Sequence, residues 1–233
     1  SGGGRQSLAE AQFYPNDYDG IWASCPAINW TQFLASGLWA VTVMNEYDHI
    51  LGFHKINAFR DAVHNSVGGK ENYFRVEERI DFDPYTILGQ KTKGGKITEK
   101  DCLVMQEIWK GPHTTGNDFL WYSFLPGGTF WNKIIPIGSF YYPLIGKRPK
   151  CFSLVEQYVH LAFEDPKKDL LHLKIRDFEK VFDTCIRKLG WLSCDHADLR
   201  PFANAGGKLI IDHGLDDPLI PVEGTIDYYH HMR

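Results

Sequence analysis

The chain opens and closes on segments whose apolar positions suit an α/β sheet, and a long stretch between them does not. From Arg5 to about Tyr14, Leu8, Ala11 and Gln12 recur on one side of a helical period, and Pro15-Asn16-Asp17 ends the run, which predicts a helix. Gly20-Ile21-Trp22-Ala23-Ser24, stopped by Pro26, reads as a short buried strand. The same character returns at Gly206 to Gly214, where Leu209-Ile210-Ile211 predicts a second strand. A loop carrying Asp217 and Pro218-Leu219-Ile220-Pro221 follows, then a helix from Glu223 to Met232. Helix and strand at one end, strand and helix at the other, define an α/β class. Between about Ile28 and Leu189 aromatics and turn residues dominate without regular alternation, as in an inserted lid. Helices are expected there at Thr31 to Tyr47, Lys55 to Val63, Ile97 to Lys110 with Leu103, Val104 and Ile108 inward, Ser153 to Phe163, and Asp177 to Leu189. Asn65 to Lys70 reads as a loop, and Lys91 to Lys96 as an exposed turn with a solvated lysine face. Residues 1–27 and 191–233 are thus assigned to the sheet core and residues 28–190 to the lid.

Composition narrows the function classes. At 233 residues and 43% hydrophobic the chain can bury a real core, and 25 basic against 29 acidic residues leave a net charge of -4. That balance favours neither nucleic acid nor an anionic membrane as a partner. No apolar run approaches the roughly 20 residues that cross a bilayer. The five cysteines, Cys25, Cys102, Cys151, Cys185 and Cys194, form no C-x-x-C pair and no zinc spacing. An odd number leaves one thiol free or paired outside this stretch. Buried small hydrophobes and disulfides both fit the rest.

Chemistry first suggests itself at Ser1-Gly2-Gly3-Gly4, which runs straight into the first helix. A serine in a tight turn at a helix N-terminus has the shape of a nucleophile elbow: Oγ is exposed, the glycines allow close backbone approach, and the next amide, that of Gly2, can donate to an oxyanion. Four such residues also describe a flexible linker, and alone they do not decide. At the far end, an apolar strand ending in an acid-bearing loop is where an α/β-hydrolase sheet places its triad carboxylate. The order, Ser then Asp, suits that architecture.

These features together resemble the tannase and feruloyl esterase family of α/β-hydrolases, especially its fungal members. Ser1-Gly2-Gly3-Gly4-Arg5-Gln6 is similar to the family's elbow, Gln12 through Ile21 to its Gln-x-Tyr-Pro-x-x-Tyr-Asp-Gly-Ile segment, and Pro26-Ala27-Ile28-Asn29-Trp30 follows. Phe82-Asp83-Pro84, Asp198-Leu199, Gly206-Gly207-Lys208-Leu209, Asp217-Pro218-Leu219-Ile220-Pro221 and Asp227-Tyr228-Tyr229 continue the likeness. The resemblance implies a partial α/β-hydrolase fold with a large inserted lid domain. It makes Ser1 the nucleophile, the Gly2 amide an oxyanion donor and Asp217 the triad acid; Asp216 is the competitor, but Asp217 directly precedes the Pro-Leu-Ile-Pro run. The family's triad histidine lies beyond the acid in a His-Cys pair, whose cysteine is disulfide-bonded to the one preceding the serine. Both features are expected to lie outside these residues. None of the ten histidines fits the role. His213 is too close to Asp217 along the same strand end, and His230 and His231 fall on the next helix as surface residues.

The resemblance also implies a calcium loop, aligned with Asp61-Ala62-Val63-His64-Asn65-Ser66-Val67-Gly68-Gly69. His64 and Gly68 replace two carboxylates, leaving Asp61 the only one retained. Calcium wants six to eight oxygen ligands, so no metal and no cofactor are expected. Arg60 and Ile80 stand where bracketing cysteines are usual. Trp39, Trp109, Trp121, Tyr122, Phe130, Trp131, Tyr141 and Tyr142 offer stacking for a planar phenolic acyl group, with lid core as the competing role for most of them.

Two functional readings follow. The first is a secreted serine carboxylic ester hydrolase working through an acyl-enzyme on a small phenolic or plant cell-wall ester, feruloyl or galloyl, with no nucleic-acid or membrane partner and an oligomeric state that is open. The second is a non-catalytic truncated remnant without the histidine and the calcium site. By themselves these residues are expected to be inactive and to hold only the strands near Ile21 and Leu209 of a sheet of roughly eight, leaving ladder edges and apolar faces exposed.

Overall fold

The computed structural model describes residues 1–67, 80–128, 142–143, 149–150, 152–217 and 219–232. In chain order the elements are α1 (Gly2–Phe13), β1 (Gly20–Ser24), α2 (Trp30–Ser36), α3 (Trp39–Glu46), α4 (Phe53–Ser66), β2 (Lys91–Thr92), β3 (Gly95–Lys96), α5 (Glu99–Lys110), β4 (Tyr142–Pro143), β5 (Pro149–Lys150), α6 (Ser153–Phe163), α7 (Ile175–Leu189), α8 (Arg200–Asn204), β6 (Lys208–Asp212) and α9 (Val222–His231).

The two ends of the chain meet in one parallel pair. β1 and β6 run side by side in register from Gly20↔Lys208 to Ser24↔Asp212. One face is covered: Leu8 packs with Ala23, Ile28 and Tyr228, and Ala11 with Ile21, Leu199 and Phe202. On the other face Trp22 and Ile210, partners in the register, are 69% and 64% exposed. An exposed apolar sheet face is what two strands of a larger parallel sheet present. Beside it, Gly207 admits no side chain, because a Cβ there would lie 2.4 Å from the Phe202 ring.

α1 begins at Gly2 rather than near Arg5, so the glycine triplet is helical. Glycine costs about 1 kcal/mol per residue relative to alanine in a helix, and packing explains one of the three. A Cβ on Gly4 would fall 2.3 Å from the Ser24 carbonyl oxygen and 2.7 Å from the Pro26 Cα. The helix therefore rests its backbone directly on the loop that leaves β1.

The central residues build a helical layer whose largest fully buried side chains are Trp39, Phe33, Phe59 and Phe178. α7 supplies an apolar stripe of Phe178, Val181, Phe182, Cys185 and Leu189, the spacing that faces a core, and it packs on α2 and α6. It starts at Ile175, a little before the expected Asp177. The single helix expected from Thr31 to Tyr47 is two, α2 and α3. The Gly37 amide reaches the carbonyls of both Phe33 and Leu34, a tightened last turn that ends α2. On α5 the inward face is Cys102, Val104, Met105, Ile108 and Trp109, whereas Leu103 is half-buried. The Lys91 to Lys96 turn is the β2–β3 antiparallel hairpin.

A buried carboxylate ties this layer together. Asp101 Oδ2 accepts from the Thr98 amide and hydroxyl, each at 2.7 Å, and from Lys55 Nζ at 2.6 Å, while Oδ1 lies 2.8 Å from His49 Nε2. Thr98 Oγ1 in turn accepts the Asp101 amide, so one residue completes the capping box of α5 and anchors α4. Cys25, Cys102, Cys185 and Cys194 are free thiols, the last three buried; Cys151 lies outside the described residues. Burial pushes the Cys185 thiol up to about 12 and the Cys102 thiol up to about 11.

Candidate active site

The carboxyl ends of β1 and β6 point to one edge of the sheet, where α1 begins. Open α/β sheets bind ligands in the crevice outside those strand ends. Ser1 sits there as the N-cap of α1, its Oγ accepting the Gly4 amide at 3.3 Å. Its carbonyl accepts the Ala27 amide at 3.1 Å and the Arg5 amide at 3.3 Å, and its nitrogen donates to the Cys25 carbonyl. Cys25, at φ 42, donates its own amide to the Asp212 carbonyl at 2.7 Å. Ser1 is thus bound to the loop after β1, and that loop to the end of β6. As an N-cap acceptor Oγ keeps its proton free to donate elsewhere. Gly2 occupies the first helical position, so its amide belongs to the outward-pointing set of a helix N-terminus.

Asp217 arrives from the other strand. Its Oδ1 accepts the amides of Leu219 at 2.8 Å and Ile220 at 2.9 Å, and its Oδ2 faces His213 Nε2 at 3.3 Å. Burial pushes the Asp217 carboxyl up, but the bonds from His213, Ile220 and Leu219 outweigh it and hold the group below the usual carboxylate range. The Cys25 thiol, a His213 ring nitrogen and an Asp217 oxygen all lie within 4.8 Å of one another. The Asp217 carboxylate is also close enough to the backbone nitrogen of Ser1 to act on it electrostatically. The structure therefore brings Ser1 and Asp217 to one place from opposite ends of the chain. Asp216, the competitor, faces the loop ending at Gly128: one of its oxygens lies 3.4 Å from where a Gly128 Cβ would stand.

His213 was expected to lie too close to Asp217 along the strand end to be the triad histidine. It is the acid's bonded partner, and its Nδ1 lies 2.7 Å from Thr225 Oγ1 on α9. Both of its ring nitrogens are engaged in these contacts, one with Asp217 and the other with Thr225. Its role and that of Thr225 escaped sequence reading, although the His-Gly-x-x-Asp spacing was the signal that could have pointed to the contact. His230 and His231 are exposed at the end of α9, as expected.

From the central residues Trp121 reaches the acid side: its ring would lie 3.0 Å from a Cβ on Gly224. Trp39, Trp109 and Trp121 are all buried. Trp39 donates to the Glu107 carbonyl at 3.0 Å and meets Phe178 edge-on, a core role. Trp109 also lines a cavity of about 700 Å³ with Phe82, Gln106 and Lys110. Phe130, Trp131 and Tyr141 lie outside the described residues, and Tyr142 is described only in its backbone.

The residues of the degenerate metal loop do not fit calcium. The Asp61 carboxylate carries the Arg60 guanidinium, with Nη2 at 2.8 Å. His64 Nε2 sits 3.0 Å from the Gly127 carbonyl oxygen. A cation on the sole carboxylate and an imidazole where a hard oxygen is needed both oppose the ion. Gly68 and Gly69 lie outside the described residues.

Residues 1–75 match the family described as tannase and feruloyl esterase. The chain is 30% identical over 248 residues to a probable feruloyl esterase of Arthroderma benhamiae, covering 98% of this chain and 44% of that protein. The chain is similar to proteins of the tannase and feruloyl esterase family. Its fold is similar to the crystal structure of feruloyl esterase B from Aspergillus oryzae, with a TM-score of 0.79, 21% identity, and coverage of 99% of this chain and 46% of that one. It is likewise similar to a tannin acyl hydrolase from Aspergillus niger, with a TM-score of 0.78, 22% identity, and coverage of 99% and 45%. The chain spans less than half the length of each of these proteins, and its fold is of their α/β-hydrolase type.

Proposed function

We propose that this tannase and feruloyl esterase relative contributes the nucleophile and the acid of a serine carboxylic ester hydrolase acting on phenolic esters, feruloyl or galloyl. The observation that carries the reading is the convergence of Ser1 and Asp217 on one sheet edge, joined through the Cys25 loop. In the reaction Ser1 Oγ attacks the ester carbonyl to form the acyl-enzyme, and the first amides of α1, that of Gly2 foremost, stabilise the oxyanion. Asp217 orients the imidazole that takes the Ser1 proton. No described histidine fills that place, and we assign the base to the part of the family's length that this chain does not span. An extracellular setting is a corollary of the reading; among the described residues no helix is long and apolar enough to cross a membrane.

The test is hydrolysis of methyl ferulate and methyl gallate by the intact gene product. Ser1→Ala is expected to lower kcat by about 10³-fold or more with thermal stability retained. Undiminished turnover would remove Ser1 from the mechanism. Absence of activity in the wild type toward both esters would favour the non-catalytic reading, to which the degenerate metal loop already points.

A further inference from the structure

We propose that His213, itself held by Thr225, is the positioning residue that fixes the Asp217 carboxylate for the triad histidine. The inference rests on the assignment of Asp217 as the triad acid. An ionised carboxylate offers about four lone-pair directions. Leu219 and Ile220 take two on Oδ1, and His213 takes one on Oδ2. One direction remains, on Oδ2, and an incoming imidazole N–H needs just one. Without His213, Oδ2 would be held only through the two amides on the opposite oxygen.

The side chain of His213 is 3% exposed against 16% for Asp217, so water cannot easily replace its donor. The ionised Asp217 carboxylate only accepts, so the neutral ring bears its proton on Nε2, the nitrogen that faces it, and the Thr225 hydroxyl at 2.7 Å donates to Nδ1. The relay Thr225, His213, Asp217 thereby couples the first turns of α9 to the acid loop. The other groups facing the carboxylate are the Cys25 thiol, from the loop after β1, and the backbone nitrogen of Ser1, at the start of α1, both from the nucleophile's side.

The experiment compares three substitutions in the intact gene product. Gln can offer an amide N–H near the place of Nε2; Asn keeps a polar group near Thr225 but cannot reach Asp217; Ala keeps neither. Expected for His213→Ala and His213→Asn is a fall in kcat of about 10–100-fold, the size found when the hydrogen-bonded partner that orients a metal ligand is removed, with KM within about twofold. His213→Gln should recover most of the turnover. A second readout does not depend on catalysis: the NMR titration midpoint of the Asp217 side-chain carboxyl should rise in His213→Ala and return toward the wild-type value in His213→Gln. A kcat for His213→Ala within about twofold of wild type, or equal behaviour of the Ala and Gln variants in both measurements, overturns the inference. Should the wild type prove inactive while the midpoint still moves as stated, the esterase reading fails and the hold of His213 on Asp217 stands.

Discussion

Replacing Asp101 by alanine removes the one acceptor shared by Lys55, His49 and Thr98 at the heart of the helical layer. The carboxylate is fully buried, while the Lys55 side chain is 15% exposed. Removing one partner of a buried ion pair costs about 3–5 kcal/mol, because the charge left behind is uncompensated. Losing the capping box adds on the order of 1 kcal/mol. The two losses share one group and are not additive, so about 4 kcal/mol is expected. For a chain of this size each kcal/mol moves Tm by about 2–4 °C, which predicts a fall of roughly 8–16 °C. The assay is thermal unfolding of the intact gene product followed by circular dichroism, with Asp101→Ala/Lys55→Met alongside. If the stranded lysine is the main cost, the double variant should recover part of the loss. pH supplies an independent check. Burial pushes the Asp101 carboxyl up, but its bonds from Lys55, His49 and Thr98 outweigh that and hold it below its ordinary value. The stabilisation is then fully present above the unfolded value of about 3.9 and is lost as pH falls through the folded one. Wild type should therefore lose the contribution in acid, whereas the alanine variant has none to lose. A Tm change under about 2 °C, or a double variant no more stable than the single one, would refute the reasoning.

Three further outcomes are expected. Gly4→Ala places a methyl 2.3 Å from the Ser24 carbonyl; it should cost about 1–3 kcal/mol as overpacking and lower kcat further than the Tm shift explains, since the first turn of α1 carrying Ser1 must move. Unchanged turnover would show that the elbow tolerates displacement. Chelator and added calcium should leave Tm unchanged, because an ion at 100 times its Kd would contribute about 2.7 kcal/mol; a rise of several degrees would mean that backbone carbonyls and Asp61 still form a site. Thiol labelling of the native protein at pH 8 should reach half-buried Cys25 before Cys102 and Cys185, whose thiols titrate near 11 and 12; equal rates would contradict the burial described.

The sequence by itself determined the segments whose signals are local. The apolar stripe of α7, the strands at Ile21 and Leu209, and the turn at Lys91 to Lys96 lie within a few residues of the positions that define them, so periodicity and turn chemistry suffice. The candidate Ser and Asp were legible because each sits on a short motif with its own geometry, an elbow and an acid loop. Tertiary structure alone decided what depends on distant neighbours. Gly4 sits in a helix whose backbone rests on Ser24 and Pro26, a contact that no local propensity specifies. Asp101 is a buried anchor rather than a surface acid because Lys55, 46 positions away, comes to it. The approach of Ser1 to Asp217 follows from β1 pairing with β6 across 188 residues, a contact that hydrophobic pattern permits but does not specify. His213 bonds to an acid four residues away, yet its orientation is set by Thr225 on a separate helix. Periodicity reports which side of an element is apolar; which groups meet across the fold depends on packing that only the assembled chain provides.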